Sequence, residues 1–214
     1  MLNFLRQSQA KVTIVLLAIN AVLWVGQILP GSPLTGMLWF APAYGISEPW
    51  RFITAGFVHS PTSPLHILLN AYSIFIFGNL LEPALGRARF IALYLISILG
   101  GSVAVMYLSP PLTPVVGASG AFFGLMAAYF VIQKQIGGSA QAIGLIVINL
   151  AFSFLIPGVS WQGHVGGLLA GGAVASLYLN TRRDNQKTAQ VTGLVLIVIV
   201  FVLLAVYRAW NFTF

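Results

Sequence analysis

The chain has no cysteine and only three acidic residues, Glu48, Glu82 and Asp184, in 214 positions. Without cysteine there can be no disulfide staples, no thiolate metal site and no cysteine nucleophile, and the redox compartment is left open. Charge of either sign is scarce. Charged residues total 6% of the chain, against about 25% in an ordinary soluble domain. Period-two alternation is also missing: the apolar runs are continuous over about 16 to 20 residues, which argues against a membrane β-barrel. No segment repeats with a period of 20 to 50 residues, and the halves show no inverted symmetry of the transporter kind. What is abundant is apolar surface, with 58% hydrophobic residues and a mean hydropathy of +0.93. The solvent for most of it is lipid. Fifteen Phe, five Trp, seven Tyr and 22 Gly fit an all-α, polytopic membrane bundle that packs on small residues and anchors at interfaces with aromatics.

At about 1.5 Å rise per residue, seven helical spans are predicted, at 12–29, 65–81, 90–108, 118–133, 141–155, 164–180 and 191–206. Spans four to six are short for a bilayer of about 30 Å, so they start below the surface or sit in thinned lipid. The first run follows Arg6 and Lys11 like a signal peptide, yet it is long for one, and Ile28-Leu29-Pro30 offers no small-residue cleavage pattern; it is read as a retained span. The net charge of +7 does not indicate nucleic acid, because the ten Lys and Arg are scattered between apolar runs and form no basic stripe. They report topology instead. With the N-terminus cytoplasmic, Arg6, Lys11, Arg87, Arg89, Lys134, Arg182, Arg183 and Lys187 fall inside, and only Arg51 and Arg208 outside, so the C-terminus is expected outside. The short N-terminus carries no organelle presequence, which points to a bacterial plasma (inner) membrane. The long connection 30–64 lies outside, and its Trp39, Phe40, Trp50, Phe52 and Phe57 suit the outer leaflet interface.

A polar side chain in hydrocarbon needs a partner or a purpose. His66 and Asn70 in span two, Ser119 in span four and His164 in span six are the ones in question, and each lies near the outer end of its span. They therefore share one depth. His66 and Asn70, four apart, occupy one helix face. Ser119, within Gly117-Ala118-Ser119-Gly120, opens a helix whose dipole and unpaired N–H groups favour a developing oxyanion, and the flanking Gly117 and Gly120 permit close approach of a substrate backbone. Gly163, Gly167 and Gly171 form a small ridge around His164 that lets spans four and six approach closely enough for His164 to reach Ser119. Phe123, one turn below Ser119, is placed to pack on the imidazole. Plain helix packing would use the same small residues and the same aromatic. The acids lie in the outer loop (Glu48), near the inner surface (Glu82) and in an inner loop (Asp184), so none can serve as a third triad member. A Ser119–His164 dyad, with Asn70, His66 and the Ser119 N–H at the oxyanion, is the strongest acyl-transfer arrangement the chain permits. Three histidines, His59, His66 and His164, raise a zinc site, but no glutamate neighbours any of them, and no metal or cofactor is expected.

Taken together, Glu48-Pro49-Trp50-Arg51 with Thr54 and His59, then His66-x-x-x-Asn70 leading to Gly78, Glu82 and Gly86, then Gly117-Ala118-Ser119-Gly120, then Gly163-His164-Val165-Gly166-Gly167, resemble the rhomboid intramembrane serine proteases. The resemblance runs from Glu48 to about Asn180. It implies a six-helix core with a water-accessible cavity open to the outside, which cleaves single-span membrane proteins in or near their transmembrane segments. Ser119 would attack and His164 take its proton, with Asn70, His66 and the Ser119 N–H holding the oxyanion. Trp50 and Arg51 would fold the first loop against the bundle, and Glu82 would tie the inner end of span two to its neighbours. The stretch between His59 and His66, with Pro61 and Pro64, is longer than the commonest family form. Residues 1–188, including the outer loop 30–64, are expected to form the six-helix core, and 189–214 an added C-terminal transmembrane helix. Two other readings stay open: a catalytically silent rhomboid-like binder of transmembrane helices, and a small transporter, which would need polar groups at several depths.

Overall fold

A computed structural model describes residues 10–135 and 137–211; Arg6, used above for the topology, lies outside them. The described residues form seven long helices and two short ones: α1 (Lys11–Gln27), α2 (Leu34–Leu38), α3 (Arg51–Thr54), α4 (Pro64–Leu85), α5 (Arg87–Leu108), α6 (Ser119–Gln135), α7 (Ser139–Leu155), α8 (Trp161–Asn180) and α9 (Lys187–Trp210). The long ones correspond one to one with the predicted spans. Differences lie at the ends. α4 runs on past its predicted stop and ends at Gly86, whose φ of +81° turns the chain directly into α5. α8 begins a turn before His164, because Ser160 Oγ accepts from the Gly163 N–H at 3.2 Å and caps the helix.

Among the described residues, α4, α5 and the segment Asp184–Trp210 are long and apolar enough to cross a membrane, and α1 and α7 are apolar but shorter. α6 and α8 owe their place to packing. Every residue of α6 from Ala121 to Ala128 is buried, the signature of a helix surrounded on all sides by protein. α8 buries the single face Gly163, Gly167, Ala170, Gly171, Val174 and Tyr178. Lipid gives helices no hydrophobic incentive to associate, so close backbone packing must do that work. A Cβ on Gly167 would run into the Gly120 backbone, one on Gly171 into the Gly124 backbone, and one on Gly166 into the Gly100 carbonyl. Gly167 and Gly171 of the ridge read from the sequence thus set α8 against α6, and Gly166, outside that ridge, sets it against α5.

Glu82 fastens the far end of α4. Its carboxylate accepts from the Val12 N–H at 2.9 Å, the Thr13 N–H at 2.8 Å and the Thr13 hydroxyl at 2.8 Å, satisfying donors at the start of α1 that have no intrahelical partner. Gly78 makes room for Thr13, since a Cβ there would overlap that side chain. Loop 30–64 is held from within by Arg51. That guanidinium is buried, donates to Glu48 Oε2 at 2.7 and 2.9 Å, and donates to the carbonyls of Gly36 (2.8 Å) and Trp39 (2.7 Å). Trp50 is 51% exposed and donates to the Met37 carbonyl at 3.3 Å, a contact within the loop. The attachment to the bundle runs through other residues. Phe40 and Val115 exchange N–H···O bonds of 3.0 and 2.7 Å, the Gly117 N–H donates to the Ala55 carbonyl at 2.9 Å, and the Ser102 hydroxyl donates to the Phe52 carbonyl at 2.8 Å.

Candidate active site

Ser119 is the first residue of α6 and His164 lies in the second turn of α8. The close approach of these helices leaves Ser119 Oγ 2.8 Å from His164 Nε2, within hydrogen-bond distance. The Phe123 ring stacks on the imidazole with centroids 4.2 Å apart and planes 18° apart. The other ring nitrogen also has a partner, which reading the sequence missed: His164 Nδ1 lies 2.6 Å from Ser153 Oγ, near the end of α7.

His66 approaches from the first turn of α4. Its Nδ1 accepts from the Ser60 N–H at 3.3 Å, which leaves the hydrogen of a neutral imidazole on Nε2. Ser60 belongs to the stretch between His59 and His66, which folds back to make this bond. A Cβ on Gly117 would sit 2.7 Å from His66 Nε2 and 3.8 Å from Ser119 Oγ, so the missing side chain leaves a small space bounded by a ring donor and the serine hydroxyl. Gly117 also has φ +124°, a conformation side chains rarely adopt. Asn70, one turn further along α4, is buried and donates Nδ2 to the His66 carbonyl at 2.9 Å, with the second amide hydrogen left over.

His59, given no role in the site from the sequence, is fully buried in the loop, its ring centroid 5.2 Å from that of His66. Its Nε2 accepts weakly from the Ala118 N–H at 3.4 Å, and Gln27 of α1 clasps its backbone, donating to its carbonyl at 2.7 Å and accepting from its N–H at 3.0 Å. Burial, reinforced by His66, pushes the pKa of His59 down to about 3. It stays neutral at physiological pH and supports the backbone just before Ser119.

Beside Ser119 and Gly120 lies a cavity of about 30 Å³, lined by small residues such as Gly56, Gly101 and Gly117 and by the larger Phe40, Ile98 and Val105. That is room for a water molecule.

The rhomboid domain model matches residues 47–181, more than half of the chain. The chain belongs to the rhomboid family. It is 34% identical over 169 residues to the putative rhomboid protease YdcA of Bacillus subtilis, covering 73% of this chain and 82% of that one. It is 30% identical over 181 residues to the rhomboid protease GlpG of Haemophilus influenzae, covering 80% of this chain and 92% of the other. Against the rhomboid protease GluP of Bacillus subtilis it is 33% identical over 132 residues, which cover 58% of this rhomboid and 25% of GluP. The motifs quoted from the sequence, from Glu48 to about Asn180, fall almost wholly inside the matched segment.

Proposed function

We propose that this rhomboid-family intramembrane serine protease hydrolyses peptide bonds in or near the transmembrane segments of single-span membrane proteins, using Ser119 as nucleophile and His164 as base. The observation that carries this reading is the 2.8 Å contact between Ser119 Oγ and His164 Nε2 across two helices that glycines bring together. Ser119 Oγ attacks the scissile carbonyl as its proton moves to His164 Nε2. The oxyanion then meets donors that are already oriented: the His66 Nε2–H, the spare Asn70 N–H and the Ser119 backbone N–H at the start of α6. His164 returns the proton to the leaving amine, and a water from the adjoining cavity, activated by the same imidazole, releases the acyl group.

The topology that goes with this chemistry is N-terminus in the cytoplasm and C-terminus outside, in a bacterial plasma membrane, with the site just beneath the outer face. Substrates then enter from the lipid. No cofactor takes part. The test pairs a fluorophosphonate probe with cleavage of a model single-span substrate in liposomes, for wild type, Ser119→Ala and His164→Ala. Both variants should lose at least about 10³-fold in kcat, and Ser119→Ala should lose all labelling. Equal labelling of wild type and Ser119→Ala ends the nucleophile assignment; a wild type that neither labels nor cleaves points to the silent helix binder.

A further inference from the structure

We propose that Ser153 is a positioning residue that completes a Ser119–His164–Ser153 hydrogen-bond chain and sets the tautomer in which His164 can act as a base. The proposal rests on the assignment of Ser119 and His164 to the reaction. A hydroxyl has one hydrogen to give, and Ser153 Oγ donates to the Asn149 carbonyl one turn back in α7, at 2.8 Å. With its hydrogen committed to that carbonyl, it accepts from His164. The 2.6 Å contact with Nδ1 then requires an Nδ1–H, and a neutral imidazole protonated there presents a bare lone pair on Nε2. That lone pair is the one 2.8 Å from Ser119 Oγ. The Asn149 carbonyl at the end of the chain thus decides where the proton sits at its start.

Phe123 and Ser153 restrain different motions. Stacking on Phe123 fixes the plane of the ring but not which edge faces Ser119, and the Ser153 bond selects the edge. Ser153 is buried, and no acid is within the site. A carboxylate in this position would be a charge placed in the membrane, whereas a hydroxyl supplies an acceptor without net charge. When His164 takes the proton from Ser119, the Nδ1–H is already paired, so the imidazolium is stabilised where it forms.

The experiment uses the full chain in liposomes, with Ser153→Ala, Ser153→Thr and Ser119→Ala compared with wild type. Ser153→Ala should lower kcat about tenfold with KM changed less than about twofold, as expected for loss of one neutral hydrogen bond that strengthens in the transition state. Ser153→Thr keeps a hydroxyl able to bond the i−4 carbonyl, and kcat should return to within about threefold of wild type. The chain has three histidines, so ring-15N labelling resolves His164 directly. In the wild type, Nδ1 should carry the proton and Nε2 none; in Ser153→Ala the two tautomers should mix. A wild-type His164 protonated on Nε2 overturns the proposal even if Ser153→Ala fails to fold, and so does a folded Ser153→Ala with wild-type kcat and tautomer. Persistent labelling of Ser119→Ala instead sinks the nucleophile assignment, a separate result.

Discussion

Asn70 gives one amide hydrogen to the His66 carbonyl and keeps the other, an arrangement that fixes the side chain before any substrate arrives. A donor held in this way contributes most where negative charge develops. Asn70→Ala should therefore reduce kcat about 100-fold, with KM nearly unchanged, in steady-state cleavage of the model substrate. A rise in KM at constant kcat would mean that Asn70 binds substrate and does not serve the oxyanion. The four polar residues of the site could be read from the sequence because hydrocarbon makes them conspicuous, and span direction put them at one depth. Ser153 could not be read in the same way. A serine in a helix satisfies itself on the i−4 carbonyl at little cost, so its presence raises no alarm. A signal was there, since Ser153 lies near the end of the span that precedes His164's, 11 residues before it, and so reaches the same layer. The part His59 plays was not legible for another reason: it lies in tertiary contacts with Ala118 and Gln27, 59 and 32 positions away along the chain.

At the scale of helices, the distance between Ser119 and His164 is set by how closely α6 and α8 approach, and glycines set that approach. Gly167→Ala would drive a methyl group into the Gly120 backbone, next to Ser119. Overpacking of this kind costs about 1–3 kcal/mol. We expect a lower thermal midpoint together with slower fluorophosphonate labelling, because the parting of the helices moves the serine from its base. Gly144→Ala in α7 is the control, since its Cβ would meet nothing within 4 Å. There the gain in helix propensity should leave stability equal or slightly higher. Equal tolerance of both substitutions would remove close packing as the source of the geometry. The helices were legible as apolar runs and the ridge as a spacing of four, but their ends were not, because capping by Ser160 and the turn at Gly86 depend on local backbone detail that hydropathy does not register.

For the whole molecule, the distribution of charge predicts which face of the membrane the site opens to. Arg87, Arg89, Lys134, Arg182, Arg183 and Lys187 gather at the ends of helices on one side, while Arg51 and Arg208 lie toward the other, so the positive-inside rule predicts loop 30–64 on the outside. α9 lies beyond the matched family segment, yet it is tied to the core by the Tyr107 hydroxyl bond to the Leu204 carbonyl at 2.8 Å and by Arg89 donating to Gln190 at 2.8 Å. Its orientation follows from that of the core. The absence of native cysteine allows the orientation to be read without background from single introduced thiols. Ser47 is exposed in the outer loop and Ala140 is exposed at the start of α7, near Lys134. With a membrane-impermeant maleimide on intact bacterial cells, Ser47→Cys should label at once, and Ala140→Cys only after the membrane is opened. The reverse pattern would put the Ser119–His164 pair beneath the cytoplasmic face, and the substrates would then have to present their cleavage sites from that side.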